Sequence, residues 1–289
     1  PDFEEEERPN IHGDGNSIIR REPLGVAALI VPWNHPQASL TLKLGPALAA
    51  GCTVVIKPAA ETALDVFAFA EASLAIGMPP GVINIVPGGR ETGQALVAHP
   101  GIDKISFIGS AEAGRQIASA GGRRLIPVTL ELGGKSAAIV LESADLDKAF
   151  TSLRHAIFDN SGQICAMMSR VLAPASMYDE VRDRLVALAG DLKVGDPHDE
   201  STELGPLVSG RIHERVSGMV DRARAAGAQV LTGGQSLPST GYFYAPTVIT
   251  GAAEDSEIVQ EEIFGPVVTL MSYNGVDDAV RIANDSHYG

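Results

Sequence analysis

The sequence predicts an α/β protein built on parallel sheets and divided into two domains. Two observations carry that expectation. Short apolar runs alternate with helical stretches of about 10–15 residues, and a Gly-Gly pair at 133–134 separates two such series. Alternation of this kind implies βαβ units, right-handed crossovers and a ligand at the carboxyl ends of the strands.

Taken in order, the acidic run Glu4–Glu7 with Arg8 and Pro9 is most simply a solvated segment, and Ser17–Glu22 a strand before Pro23. Strands are expected at Gly25–Val31, Thr53–Lys57, Val82–Val86, Lys104–Ile108 and Val128–Glu131. Helices are expected between them near Pro36–Ala50, Ala63–Ile76, Glu91–Ala98 and Ala111–Ala120. After Gly134, Ser136–Leu141 suits a strand and Leu146–Asp159 a helix. A stretch from Cys165 runs into Arg170–Ala173, a helix is expected around Ala175–Ala189, and Val194–Pro206 is rich in Gly and Pro. Arg211–Ala226 is an amphipathic helix stopped by Gly227. The expected organisation is therefore a linker with one strand at 1–23, a first domain at 24–133 and a second at 134–289.

With 289 residues, 45% hydrophobic and 20% charged, the chain has ordinary globular composition and length for a sizeable core. A net charge of −14 with no basic cluster repels nucleic acid. The two cysteines, 113 residues apart, make no disulfide framework and suit a reducing, cytoplasmic compartment. The apolar run Leu24–Trp33 is too short to cross a bilayer, and no charged-then-apolar leader precedes it, so no membrane is expected. The histidines show no metal-ligand spacing, so no metal is expected either.

Cys52, in Ala-Ala-Gly-Cys-Thr-Val-Val-Ile, suits a small core residue. Cys165 sits instead in the polar setting Asp-Asn-Ser-Gly-Gln-Ile-Cys, where a thiol is available as a nucleophile. Glu131, 34 residues earlier, either closes a strand or serves as a base that flexible glycines allow to move. Asn34, in a Pro-Trp-Asn-His-Pro turn, is either a turn residue or an amide donor for an oxyanion. Gly109-Ser110 ends a strand and opens a helix; Ser110 suits a plain N-cap, and the free N–H groups suit a pyrophosphate. Arg115-Gln116 replaces the Lys-[Ser/Thr] of a P-loop, which excludes a nucleoside triphosphatase of that type. A carboxylate after the second strand of the sheet, Glu61, can accept from both adenosine-ribose hydroxyls and repels a 2′-phosphate.

Pro-Trp-Asn-His-Pro at 32–36, Lys57, Phe-Ile-Gly-Ser at 107–110, Glu-Leu-Gly-Gly-Lys at 131–135, Gly-Gln-Ile-Cys at 162–165 with Arg170, and Glu-Glu-Ile-Phe-Gly-Pro at 261–266 occur in an order that resembles the aldehyde dehydrogenase family. The resemblance implies a Rossmann-like cofactor domain followed by an α/β catalytic domain. It implies Cys165 as nucleophile, Glu131 as general base, and Asn34 with the Cys165 amide as oxyanion donors. For the cofactor it implies Lys57 and Glu61 at the adenosine ribose, Gly109 and Ser110 at the pyrophosphate, and Glu262 at the nicotinamide ribose. Phe264 would pack near the nicotinamide, with Trp33 and Leu132 as further contacts. Glu61 favours NAD over NADP.

His35 and Asp159 would border the substrate tunnel and point to a polar, cationic aldehyde; the plainer reading is that Asp159 caps a helix or faces solvent. The implied reaction oxidises an aldehyde to the carboxylic acid through a cysteine thioester. Three alternatives stand beside it: transfer of the acyl group to coenzyme A, a cysteine hydrolase, and a chain that only binds cofactor. Relatives are longer, so the sequence is expected to be an internal part of a longer polypeptide, exposing apolar surface when alone. Ser17–Glu22 matches part of the family's oligomerisation region, which implies a homodimer or homotetramer.

Overall fold

A computed structural model describes residues 6–9 and 16–288, with the side chains of 6–9 and 16 left aside. Glu4 and Glu5 of the acidic run therefore lie outside the described residues. The chain forms two compact units, Pro1–Leu132 and Gly133–Gly289. The segment ahead of Pro23 is grouped with the first.

The first unit begins with an antiparallel pair, β1 (Glu6–Pro9) and β2 (Asn16–Ile19), in which Glu6 faces Ile19. The end of the acidic run is thus a strand rather than a free segment, and its partner starts one residue before the expected strand and stops at Ile19. The rest of the unit alternates: β3 (Val26–Ile30), α1 (Pro36–Ala49), β4 (Thr53–Lys57), α2 (Ala63–Ala75), β5 (Ile83–Ile85), α3 (Arg90–Ala98), β6 (Lys104–Gly109), α4 (Ala111–Arg124) and β7 (Val128–Leu132). Five strands pair in the order β5-β4-β3-β6-β7, all parallel.

β3 explains why its segment is continuously apolar. Ala27, Leu29 and Val31 pack with Leu40, Leu44 and Val66 of α1 and α2, whereas Ala28 and Ile30 pack with Val97 and Ile117 of α3 and α4. A strand covered on both faces has no reason to alternate with polar residues. The chain runs outward one way through β4 and β5 and the other way through β6 and β7. The crevice of a doubly wound sheet opens where that direction reverses, at the carboxyl ends of β3 and β6.

The second unit holds β8 (Ala137–Ile139), α5 (Leu146–Phe158), β9 (Arg170–Pro174), α6 (Tyr178–Asp191), α7 (Gly210–Ala225), β10 (Gln229–Thr232), β11 (Thr247–Thr250), α8 (Glu257–Gln260), β12 (Val267–Tyr273) and α9 (Val276–Asn284). Its sheet runs β10-β11-β12-β9-β8, parallel except for the edge strand β10. Asp145 caps α5 by accepting from the Lys148 amide at 3.3 Å. Leu146, Phe150, Leu153 and Ile157 then form one buried stripe at helical spacing. They cover Val171, Val268 and Leu270 of the sheet together with Val181 and Leu185 of α6. Burial of each such side chain contributes about 1.5–3 kcal/mol. Among the described residues, no helix is long and apolar enough to cross a membrane.

Candidate active site

In the first unit, parallel register brings the expected residues to one edge. Ile30 stands opposite Lys57 on one side and Phe107 on the other, and Ile108 opposite Glu131. The turn carrying Trp33, Asn34 and His35, then Lys57, Gly109-Ser110 and Glu131-Leu132, therefore all leave the sheet at its carboxyl end. Asn34 is half-buried at the mouth of α1, whereas His35 and Glu131 are exposed. The Ser110 hydroxyl accepts from the Ala113 amide at 3.3 Å, so it caps α4, and the helix's remaining first-turn amides face outward. Both sequence readings of Ser110 are compatible, because a capped helix keeps its positive end.

Lys57 is buried, donates to the Pro58 carbonyl at 2.9 Å, and has its pKa lowered by burial, with Glu61 opposing. Glu61 is exposed on a short 3₁₀ turn, Ala60–Thr62. Beside them a cavity of about 460 Å³ lies between α3 and α4, walled by Ile30, Phe107, Val97 and Ile117 with Lys57 at its border. Apolar walls with a few polar groups at the rim, at this size, fit a nucleobase and its ribose.

The first unit also buries Lys43, which sequence reasoning missed. Its Nζ donates to Ser106 Oγ at 2.7 Å, and burial pushes its pKa down to about 8, with the charge of Glu131 opposing. A signal was available: Lys43 interrupts the apolar stripe Leu40–Leu44 of α1, nine residues after Asn34.

The second unit gathers its residues at the opposite end of its strands. Cys165 precedes β9, Glu262 and Phe264 precede β12, and Gly133-Gly134-Lys135 precede β8. Since Arg170 stands opposite both Ala137 and Thr269, these three turns crowd together at the amino edge. Cys165 is exposed, Cys52 of the first unit is buried, and neither is in a disulfide.

The turn ahead of Cys165 is strained. Asn160, Ser161 and Gly162 all have left-handed backbone, with φ of 51°, 55° and 71°. Non-glycine residues in that region cost about 1–3 kcal/mol each and are kept only where the surroundings fix them. Here Ser161 Oγ donates to Gly205 O at 2.8 Å, and the buried Gln163 takes the Val208 amide at 3.0 Å while donating to Asn160 O. Gly162 is required for a second reason: a Cβ there would run into the Gly265 backbone of the Glu-Glu-Ile-Phe-Gly-Pro turn. Phe264 in that turn is itself left-handed, at φ 62°.

Glu262 lies over the glycine pair. A Cβ at Gly133 would collide with its carboxylate, and the Gly134 amide points to its Oε1 at 3.4 Å. Burial raises the Glu262 pKa. Beneath it the missed Lys135 is fully buried, donates to Ile258 O at 2.9 Å, and is pushed by burial to a pKa of about 7. Asp159 follows α5, is exposed, and meets His155 Nδ1 at 3.0 Å. Among the described residues no three His, Cys, Asp or Glu side chains cluster as metal ligands.

Residues 2–289 match the model of the aldehyde dehydrogenase family. The chain belongs to that family. Among the aldehyde dehydrogenases it resembles, geranial dehydrogenase of Castellaniella defragrans is 49% identical over 99% of this chain and 60% of its own length. Peroxisomal aminoaldehyde dehydrogenase 1 of Malus domestica is 40% identical over 94% of this chain and 55% of its own. The crystal structure of Mycobacterium tuberculosis aldehyde dehydrogenase complexed with NAD⁺ superposes with a TM-score of 0.95 at 44% identity, over 99% of this chain and 59% of that one. This chain thus spans about 60% of the length of such aldehyde dehydrogenases.

Proposed function

We propose that this chain performs the NAD-linked oxidation of an aldehyde to its carboxylic acid. One observation carries the reading: in an aldehyde dehydrogenase chain, the strained turn ahead of Cys165 ends in an exposed thiol. NAD⁺, when bound, supplies the acceptor for the two electrons and proton that leave the aldehyde carbon. The cavity beside Lys57 suits its adenosine, the α4 amino terminus its pyrophosphate, and Glu262 its second ribose.

Cys165 adds to the aldehyde carbon through its thiolate. The Asn34 amide and the Cys165 N–H donate to the carbonyl oxygen as it gains negative charge. Once the carbon is oxidised, a thioester joins the acyl group to Cys165. Glu131 takes a proton from water, the water oxygen attacks the thioester carbon, and the acid leaves as the thiol is restored. Glu131 is what favours water over coenzyme A as the acyl acceptor. A finer reading, that the aldehyde is polar or cationic, rests on His35 and Asp159, both exposed polar groups. Two unpaired cysteines suit a reducing, cytoplasmic setting.

The test is NADH formation, followed by absorbance, over a panel pairing amino-aldehydes with alkanals of equal length, with and without coenzyme A. NADH with acid released in the absence of coenzyme A supports the reading. Failure with every aldehyde, or turnover only with coenzyme A, overturns it. An alkanal-preferring or flat profile removes the polar substrate alone.

A further inference from the structure

Arg170 and Lys135, which it contacts, are the two most deeply buried cations described in the second unit, each 2% exposed. Its guanidinium has no carboxylate bonded to it among the described residues. It makes four hydrogen bonds, all to main-chain carbonyls. Nε and Nη2 both donate to Lys135 O, at 2.9 and 2.6 Å. Nη1 donates to Ile282 O at 2.9 Å and Nη2 to Ala283 O at 2.8 Å, on the last turn of α9. Asp285 acts on it only through space. Burying a guanidinium without an ion-pair partner is costly, and an apolar side chain would fill a core position more cheaply. A residue kept on those terms is spent on geometry.

The geometry it fixes surrounds the proposed nucleophile. Lys135 O is the anchor of the segment Gly133–Lys135. One residue back, Gly134 rests against the Cys165 carbonyl (a Cβ there would lie 3.3 Å from it) and directs its amide at Glu262. From the same residue, Lys135 Nζ reaches Ile258 O at the root of the Glu262 turn. The guanidinium also donates to the last carbonyls of α9, where a cation is favoured, sharing Ile282 O with the Asp285 amide.

We propose that Arg170 is a positioning residue that fastens the Gly133–Lys135 segment and the end of α9 to the root of β9, and so sets the backbone on which Cys165 and Glu262 rest. This deepens the proposed function and depends on its assignment of Cys165. Arg170→Met and Arg170→Lys are compared with Val268→Ala, a core truncation in β12 that touches none of these carbonyls. Two readouts are taken on the same proteins: amide hydrogen exchange, and the rate of Cys165 alkylation by iodoacetamide as a function of pH.

In Arg170→Met, amides at 133–136 and 283–286 exchange about 10–100-fold faster, the factor that losing a charged hydrogen bond carries. The pH profile of Cys165 alkylation moves with them. Arg170→Lys, which keeps the charge and still reaches some of the carbonyls, recovers part of both effects. Val268→Ala loosens the core but leaves the alkylation profile as in the parent. If Arg170→Met matches Val268→Ala in both readouts, the residue only supports the fold and the proposal is wrong. Should Arg170→Met fail to fold, Arg170→Lys is read against Val268→Ala by the same criterion. A parent Cys165 inert to iodoacetamide at every pH defeats the nucleophile assignment instead, and exchange alone then decides the clamp.

Discussion

The two units present their functional groups at opposite ends of their strands. In the first, Asn34, Lys57, Gly109-Ser110 and Glu131 sit at or just beyond carboxyl ends, where strands give way to turns, the first turn of α4 or, for Glu131, the end of the chain's first series. Such an edge collects helix amino termini and flexible turns, which suits binding an anionic cofactor and moving a base. In the second, Cys165, Glu262 and Gly133–Lys135 sit at amino ends, where the first two lead into the buried strands β9 and β12 and the third into the short edge strand β8. That edge is tense: it holds Asn160, Ser161 and Phe264, three of the four non-glycine residues with positive φ among the described residues. Binding tolerates adjustable groups, whereas a nucleophile needs its backbone fixed.

Several substitutions sharpen that contrast. Cys165→Ala removes the proposed nucleophile of the second unit, and NADH formation should fall by roughly 10⁶-fold, with no first-turnover burst. Asn34→Ala in the first unit takes away one oxyanion donor, slowing both burst and steady state by about 10²–10³-fold. Glu131→Gln separates the units most clearly. A rapid burst of about one NADH per chain should survive while later turnover drops by about 10²–10⁴-fold. Loss of the burst along with turnover would show that the first unit's carboxylate serves Cys165 itself rather than water. Gly133→Ala, by pushing the Glu262 carboxylate aside, should leave urea unfolding nearly unchanged and weaken NAD⁺ binding without weakening 5′-AMP binding, since the cavity proposed for adenosine lies wholly in the first unit.

The last comparison takes one buried lysine from each unit. Lys43, at about 8, and Lys135, at about 7, have folded pKa values that burial holds below the ordinary lysine value of 10.5. Between the folded and unfolded values the unfolded chain binds the extra proton, so stability rises with pH across that window. Denaturation at pH 7, 8.5 and 10 should show the parent gaining on Lys43→Met and Lys135→Met as pH rises. The gain should begin about one pH unit earlier for Lys135. A parallel pH course for parent and variants would show that neither ammonium is disfavoured in the fold.

The first unit was legible because strands covered on both faces appear as apolar runs, and each is separated from the next by a helix. Thr53–Lys57 was bounded to the residue, and Val128–Leu132 to within one. Beyond Gly227 that rhythm stops: β10 and β11 are separated by a long turn-rich segment, and α8 has a single turn. With no helix between β10 and β11 and only that one turn between β11 and β12, this stretch gave little alternation to read. For α9 the buried face is only Ala279 and Ile282, three apart among charged residues, a faint signal at best. The proposed site residues stand out in the sequence as motifs, whereas Lys43 is marked only by its place in an apolar stripe and Lys135 looks like any charged residue until the fold shows it buried. The left-handed run at 160–162 is hinted at by Asp-Asn-Ser-Gly, whose residue types favour turns without fixing their hand.

Both five-stranded sheets taper outward, with edge strands β5 and β8 only three residues long. So little unpaired ladder offers a passing chain few hydrogen bonds to zip onto. β7, at five residues, is the longest edge, and its single charge is Glu131. A carboxylate at that rim disfavours pairing with another strand. An aliphatic replacement there would confound lost catalysis with clumping, which makes the isosteric glutamine the sounder probe.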